Sequence, residues 1–236
     1  MGYEKRFDGR GVEELRQMEA KVGVVKNADG SAMFKIGKTT AIAAVYGPRD
    51  LYPKFLQNPQ TGILRVDYNM LPFSGHGERV RPGGSRRSKE ISMVMANALL
   101  PVLDLKEWPN AVVDVFVDLP QTDAGTRCAA LCAASMALAD AGLLMKDMVT
   151  AIAIGKVEDK IVVDLNYEED SYEHGSDIAI AMLPGTGKIT LLQMDGQITP
   201  EDLKEVFAKA ETACKKILEV QKTALKEKFK KPEGIA

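Results

Sequence analysis

The 236-residue sequence contains few of the side chains that disulfide-rich, zinc-binding and histidine-based proteins need. It has two histidines, three cysteines and one tryptophan. A histidine-based nuclease or a Ser-His-Asp hydrolase would have to be built on His76 or His174, and this is not expected. Because the number of cysteines is odd, a disulfide framework is also not expected, and a reducing, cytoplasmic location is favoured.

Two of the cysteines, Cys128 and Cys132, lie four positions apart, a spacing that could place two metal ligands on one helix face. They are surrounded by alanine and leucine, and no further histidine or cysteine lies nearby to complete four ligands. We therefore expect both thiols to be buried as small hydrophobic side chains.

Long hydrophobic runs and a strong net charge are missing as well. No segment reaches the roughly 20 apolar residues that a membrane-spanning helix requires, and residues 1–6 lack the apolar core of a signal peptide. We expect no membrane partner. The formal net charge of −2 argues against a general coat for nucleic acid. A positive surface for RNA must therefore be local, or a partner subunit must supply part of it.

One pentapeptide stands out, Asp123-Ala124-Gly125-Thr126-Arg127. It lies between a β-branched run at 112–119 and an alanine-rich helical run at 128–144. A helix start of this kind directs backbone N–H groups, a hydroxyl and a guanidinium towards one point, which suits a bound phosphate. The same residues also fit a simple helix N-cap by Asp123 with a solvated Arg127, and the pentapeptide alone does not separate the two interpretations.

A second helix start carries basic side chains. Residues 83–90 are rich in glycine and serine, include Arg86 and Arg87, and lead into a helical run at 91–102. Such a cluster is often only a solvated face. Two arginine-bearing helix starts in one chain, each after a glycine turn, favour convergence on a polyanion.

An acidic segment follows, with Glu168, Glu169 and Asp170 and then Asp177, between predicted strands at 161–165 and 178–183. Carboxylates next to a phosphate repel it unless they carry a metal ion or a proton, so their presence there would suit phosphoryl transfer. The alternative is an ordinary acidic hairpin loop.

The hydrophobic pattern predicts an α/β (α+β) protein with the order four strands, helix, strand, helix, four strands, helix. This order suggests two similar halves that contain βαβ units, with mixed sheets and packing helices. We expect residues 1–236 to form a single domain. The last helix has the clearest start, with Thr199 as N-cap and Pro200 in its first turn.

Taken in order, the segments 86–91, 123–127 and 169–177 resemble the RNase PH family of phosphorolytic 3′ exoribonucleases. Residues 6–10 and 138–142 are similar too, so the resemblance covers nearly the whole chain. Within the family, the amino-acid sequences of segments 123–127 and 70–74 most resemble those of the catalytic RNase PH-like subunit of the archaeal exosome. The resemblance implies an RNase PH-like fold and 3′→5′ degradation of RNA, in which inorganic phosphate attacks the last phosphodiester and releases a nucleoside diphosphate.

The resemblance also implies roles for individual residues. The attacking phosphate would be held by Arg87, Gly125, Thr126 and Arg127. The RNA backbone would be gripped by Arg86 and Arg65.

The acidic residues would carry the chemistry. Asp177 would bind or position a divalent metal ion, Mg²⁺ or Mn²⁺, and Asp170 would protonate the leaving 3′ oxygen. That second role requires a raised pKa at Asp170, and the neighbouring Glu168 and Glu169 act in that direction.

The acidic segment departs from the family in its spacing. The family places its two aspartates six positions apart, whereas Asp170 and Asp177 are seven apart. Asp177 opens a predicted strand and is the safer match. The other position remains open between Asp170, Glu169 and Glu173.

The resemblance implies a hexameric ring with a homologous RNase PH-like subunit, with single-stranded RNA 3′ ends as substrate and RNA-binding cap subunits as further partners. Two alternatives stay open. One is a homohexameric RNase PH that trims transfer-RNA 3′ ends. The other is a non-catalytic RNA-binding ring subunit, which would have lost the phosphate-site arginine or the acidic pair; this chain retains both.

Overall fold

Two β-sheets and the helices between them form the protein, and the computed structural model describes residues 6–76, 81, 84–172 and 175–230. The first sheet has five strands in the order β1-β2-β3-β5-β4. They are β1 (Met18–Val22), β2 (Gly30–Ile36), β3 (Thr39–Asp50), β4 (Ile63–Met70) and β5 (Ala111–Gln121).

β3 continues to Asp50 across an irregularity in its pairing with β5, between Tyr46 and Arg49. Pro48 lies in that interval, and a bulge is one of the few places where a sheet accepts a proline.

The helix α1 (Arg86–Leu99) connects β4 to β5, and these two strands are parallel, with Ile63 opposite Val112 and Met70 opposite Leu119. Because the carboxyl ends of parallel neighbours lie at one edge of a sheet, the segments that follow β4 and β5 meet there. Each of those segments leads into a helix. This βαβ unit is the reason that two helix starts converge.

The second sheet has four strands in the order β7-β6-β8-β9. They are β6 (Thr150–Val157), β7 (Lys160–Val163), β8 (Ser176–Leu183) and β9 (Lys188–Asp195). A short helix, α3 (Tyr167–Asp170), lies in the acidic segment that the sequence pattern treated as loop. The described pairings in this sheet are all antiparallel. The parallel βαβ unit therefore belongs to the first half. In the second half short turns join β6 to β7 and β8 to β9, and the segment that contains α3 joins β7 to β8.

The central helix α2 (Thr126–Asp140) is buried on nearly every side and packs on both sheets. Its alanines allow close approach: a Cβ on Gly30 would lie 2.2 Å from the backbone nitrogen of Ala141. Cys128 and Cys132 are buried, as expected, and burial raises the pKa of Cys132 to about 12. One continuous hydrophobic core, which includes side chains of both sheets, surrounds α2.

The last helix, α4 (Pro200–Phe229), begins as the sequence predicts. The Thr199 side chain accepts a hydrogen bond from the Asp202 N–H, and Pro200 occupies the first turn. The apolar stripe of α4 is buried, including Val206, Ala210 and Ile217. Among the helices in the described part of the chain, none has both the length and the apolar character needed to cross a membrane.

Candidate active site

The starts of α1 and α2 form one side of the candidate site. Ser85 caps α1 by accepting a hydrogen bond from the Ser88 N–H at 3.0 Å. The residue before α2 is Gly125, with φ +68° and ψ 30°, a left-handed conformation that glycine adopts without strain. Asp123 is therefore not the N-cap of α2, and that alternative is wrong. The glycine turns the chain so that the first N–H groups of α2 point out of the helix end.

The four residues assigned to phosphate by resemblance line one small cavity of about 50 Å³. They are Arg87, Gly125, Thr126 and Arg127. Within the described residues, the N–H groups of Thr126 and Arg127 have no hydrogen-bond acceptor. Unpaired N–H groups at a helix start, next to two guanidinium groups, have the chemistry that suits a bound anion.

The two arginines of this cavity are held differently. Arg127 donates from Nη1 to Oε1 of Gln193 on β9 at 2.7 Å. Arg87 has no ion-pair or hydrogen-bond partner in the part of the chain that the structure describes. Gln193 is a residue that the sequence did not suggest, because a glutamine on an edge strand carries no signature of this contact.

Both aspartates line the same cavity, Asp170 from the end of α3 and Asp177 from the start of β8. Burial raises the pKa of Asp177 to about 6, and the nearby Asp170 carboxylate adds to this effect. Desolvation also raises the pKa of Asp170, even though this residue is partly exposed. The positive charges of Arg87 and Arg127 act in the opposite direction and lower that pKa. The site thus combines an anion cradle with two carboxylates that resist ionisation.

The pKa of Asp170 is raised, as expected. Desolvation is the largest cause, and the Asp123 carboxylate also raises it. Glu169 is buried and bound by Arg6, with Nη2 to Oε2 at 2.7 Å and Nε to Oε1 at 2.9 Å. It also completes a capping box with Asn166 at the start of α3.

The seven-residue spacing is compatible with two converging aspartates, since Asp170 and Asp177 reach one cavity. Glu169 cannot replace Asp170 there, because its carboxylate is engaged by Arg6 and by the backbone of Asn166. Glu173 lies outside the described residues.

One buried polar atom of the acidic pair, Oδ1 of Asp177, lacks a hydrogen-bond partner among the described residues. A buried carboxylate oxygen without a donor is costly unless a ligand completes it. Magnesium is commonly held by one or two carboxylates together with phosphate oxygens and water, and carboxylates also suit Mn²⁺. Asp177 therefore fits the divalent ion that the resemblance implies.

A larger cavity of about 330 Å³ adjoins the anion site and shares four lining residues with it, Arg87, Asp123, Thr126 and Asp170. Tyr68 lies in its wall, and burial raises the pKa of that phenol. The wall is partly apolar and partly hydroxyl-bearing, which suits a nucleoside-sized group.

Arg65 and Arg86 are not gathered into these cavities. Arg65 lies on β4 and forms a two-pronged ion pair with Asp114, Nε to Oδ1 at 2.6 Å and Nη2 to Oδ2 at 2.9 Å. Met70, on the same strand, does line the larger cavity, and Arg65 lies about 17 Å from it along the strand. Arg86 is exposed at the start of α1 and is not among the described residues that line either cavity.

Comparison with known proteins gives a consistent result. The sequence model of the RNase PH 3′ exoribonuclease family, domain 1, matches residues 14–143, and the model of domain 2 of that family matches residues 147–213. The exosome complex component Rrp41 of Thermococcus gammatolerans is 52% identical over 227 residues, 96% of this chain and 90% of that protein. Rrp41 of Methanopyrus kandleri is 49% identical over 224 residues, 95% of this chain and 93% of that protein.

Solved structures agree on the fold. The crystal structure of rice (Oryza sativa) Rrp46 matches with a TM-score of 0.80 and 25% identity, covering 93% of this chain and all of that one. A chain of the Archaeoglobus fulgidus exosome with RNA bound to the active site matches with a TM-score of 0.76 and 23% identity, covering 96% and 93%. The expected RNase PH-like fold is confirmed. These matches, which cover nearly the whole chain, show that the protein belongs to the RNase PH family of 3′ exoribonucleases.

Proposed function

We propose that the protein is the catalytic subunit of an exosome ring, a 3′→5′ exoribonuclease that degrades single-stranded RNA by phosphorolysis and releases nucleoside diphosphates. The observation that carries the proposal is the shared cavity, in which the anion cradle at the start of α2 lies beside the acidic pair. Inorganic phosphate is the co-substrate that such a cradle would hold.

Phosphorolysis brings one anion against another, so the main task of the site is to offset repulsion and to align the two groups. Thr126 and the N–H groups of the first turn would hold the attacking phosphate, with Arg127 and Arg87 supplying positive charge. Because Arg87 has no partner among the described residues, its N–H groups are available to the phosphate.

The acids would act on the leaving side. Asp170, with its raised pKa, would carry the proton that the 3′ oxygen needs as it departs. Asp177 would hold a Mg²⁺ or Mn²⁺ ion, which when bound would neutralise charge that develops on the phosphoryl oxygens.

The RNA chain would be gripped outside the cavity. Arg86 and Arg65 are exposed cations that could contact backbone phosphates. Because the overall net charge is −2, a more basic partner subunit would supply the remaining positive surface for RNA. Relatives at about half identity are named exosome components, and a structural neighbour is an exosome with RNA at its active site. A hexameric ring with a homologous RNase PH-like subunit, and with RNA-binding cap subunits, fits these facts. We place the protein in the cytoplasm.

Two other functions remain candidates for experiment. A homohexameric RNase PH would use the same cavity on transfer-RNA 3′ ends. A non-catalytic ring subunit is disfavoured because the cation and acid residues of the cavity are all present.

The test is degradation of oligoadenylate by the full chain, alone and with a homologous ring partner, in buffers with and without inorganic phosphate. We expect decay only with phosphate, and much faster decay with the partner. Equal rates without phosphate would overturn phosphorolysis. A chain that is as fast alone as in any mixture would favour the homohexamer.

A further inference from the structure

A buried aspartate behind the site, Asp164, holds an unfavourable backbone conformation. It follows β7 directly and has φ +59°, in the left-handed region that non-glycine residues seldom occupy. Its side chain is 1% exposed. Such strain persists only where surrounding contacts hold it, and it is often found near functional sites.

Arg16 holds this aspartate with three hydrogen bonds. Its backbone N–H and its Nε donate to Oδ2 of Asp164 at 2.7 and 3.0 Å, and Nη2 donates to Oδ1 at 2.7 Å. The carbonyl oxygen of Asp164 accepts from Arg6 and Arg10. The strained residue is therefore fixed from both its side chain and its backbone.

The remaining donors of Arg16 reach the loop that precedes α2. Nη2 also donates to the Ala124 carbonyl oxygen, and Nη1 donates to Oδ2 of Asp123, both at 3.3 Å. A Cβ on Gly125 would lie 3.5 Å from Arg16 Nη2, so the guanidinium lies directly against the turn that opens the anion cradle.

Asp123 carries the connection to the acidic side. Its Oδ1 accepts a hydrogen bond at 3.0 Å from the N–H of Tyr167, the first residue of α3. α3 ends at Asp170, and so the loop that presents the phosphate donors is tied to the helix that presents the acid. The tie joins the two matched domains, since Arg16 and Asp123 lie in the first and Asp164 and Tyr167 in the second.

We propose that Arg16 and Asp164 are positioning residues, a clamp that sets the distance between the phosphate cradle of the first domain and the acidic pair of the second. The inference rests on the proposed function. Neither side chain is among the described residues that line the anion cavity, so both act through the loop at 123–125 and through α3. A shift of about 1 Å between reacting groups costs on the order of a hundredfold in rate.

The test uses Asp164→Asn. Asparagine tolerates the left-handed region and has nearly the same volume, but it cannot accept the set of Arg16 hydrogen bonds as a carboxylate does. We expect the KM for inorganic phosphate to rise about tenfold and kcat to fall as well. The assembly that degrades oligoadenylate in the wild type is the one to assay, and calorimetric titration of the full chain with inorganic phosphate gives a second readout.

A matched control is Asp140→Asn. Asp140 is also 1% exposed and ion-paired, to Lys228, but it lies at the opposite end of α2 from the site. The Asp140→Asn variant should lose about as much stability as Asp164→Asn, without a change in the KM for phosphate. Asp123→Ala breaks the link to α3 while keeping the Arg16–Asp164 pair, and it should reproduce the kinetic effect if Asp164→Asn does not fold.

The outcomes separate the two proposals. If the wild type requires phosphate but Asp164→Asn and Asp123→Ala match Asp140→Asn in KM and kcat, the clamp is only structural and the inference is overturned. If the wild type degrades RNA equally well without phosphate, the proposed function fails and the clamp has no phosphate cradle to position.

Discussion

The two sides of the candidate site are built in opposite ways. The phosphate side uses backbone N–H groups at a helix start and two arginines, whose positive charges are offset before a ligand arrives by the carboxylates of Asp170 and Asp177. The acidic side buries Asp177 next to Asp170, and the pKa of Asp177 rises to about 6 as a result. Substitution on the phosphate side should therefore weaken phosphate binding. Substitution on the acidic side should remove RNA cleavage and also relieve the cost of burying a carboxylate.

The largest effect is expected from Asp177→Asn. Removal of this carboxylate should lower RNA cleavage by on the order of a thousandfold, because charge stabilisation at the reacting phosphoryl group is lost. RNA binding should persist, since no RNA-backbone contact is assigned to this residue. Gel-shift and oligoadenylate decay assays on the same preparation check both statements, and an active variant would remove Asp177 from the mechanism.

The same variant should be more stable than the wild type at neutral pH. A carboxyl group whose pKa rises from 3.8 to about 6 on folding keeps its proton longer in the folded state, so stability falls as the pH rises through that window. Asp177→Asn avoids this cost, and its free energy of unfolding in metal-free buffer should exceed that of the wild type at pH 7 by about 2–3 kcal/mol. Below pH 4 the difference should vanish. Urea unfolding at both pH values measures the difference in the free energy of unfolding. An Asp177→Asn variant that is less stable than the wild type at pH 7 would contradict the claim that the acidic side carries an energetic cost.

On the phosphate side, Arg127→Ala should lower kcat/KM for phosphate by about a hundredfold, because a charge-assisted contact is lost. No gain in stability is expected, in contrast to Asp177→Asn. Arg127→Lys keeps the charge but not the planar donor pair and should recover only part of the loss. Steady-state kinetics at varied phosphate concentration measure both variants.

A smaller effect is expected at Gln193, which orients Arg127 from β9. Gln193→Leu should raise the KM for phosphate by about fivefold to tenfold, since one hydrogen bond to a charged group is lost. Gln193→Glu should be worse, because its carboxylate would compete with phosphate for Arg127. An unchanged KM in both variants would show that Arg127 does not need this partner.

The smallest effect is expected at Arg65, whose guanidinium is already paired with Asp114 and half-exposed. Arg65→Ala should weaken RNA binding a few-fold and lower the slope of log affinity against log salt concentration by about one, with no change in the KM for phosphate. A change in the KM for phosphate would place Arg65 nearer the cavity than its ion pair suggests.

Local features of the site could be predicted from the sequence because they depend on neighbouring residues. Gly125 directly before an alanine-rich run indicates that a helix begins at that point. The capping of α4 by Thr199 follows equally local rules. The convergence of Arg87 and Arg127 could also be anticipated, from two similar helix starts.

Contacts between distant segments could not be predicted in this way. Arg16 meets Asp164 across 148 positions, and Gln193 meets Arg127 across 66. Nothing in the local pattern near Glu169 shows that Arg6 binds its carboxylate. These contacts arise where the two sheets pack around α2, and they depend on the tertiary fold rather than on periodicity.

The central claim is that inorganic phosphate is the attacking group. It is tested most directly by degrading unlabelled oligoadenylate with the wild-type protein and its ring partner in radiolabelled inorganic phosphate. The account predicts that the label appears in the terminal phosphate of the released nucleoside diphosphate. Release of unlabelled nucleoside monophosphate instead would contradict it.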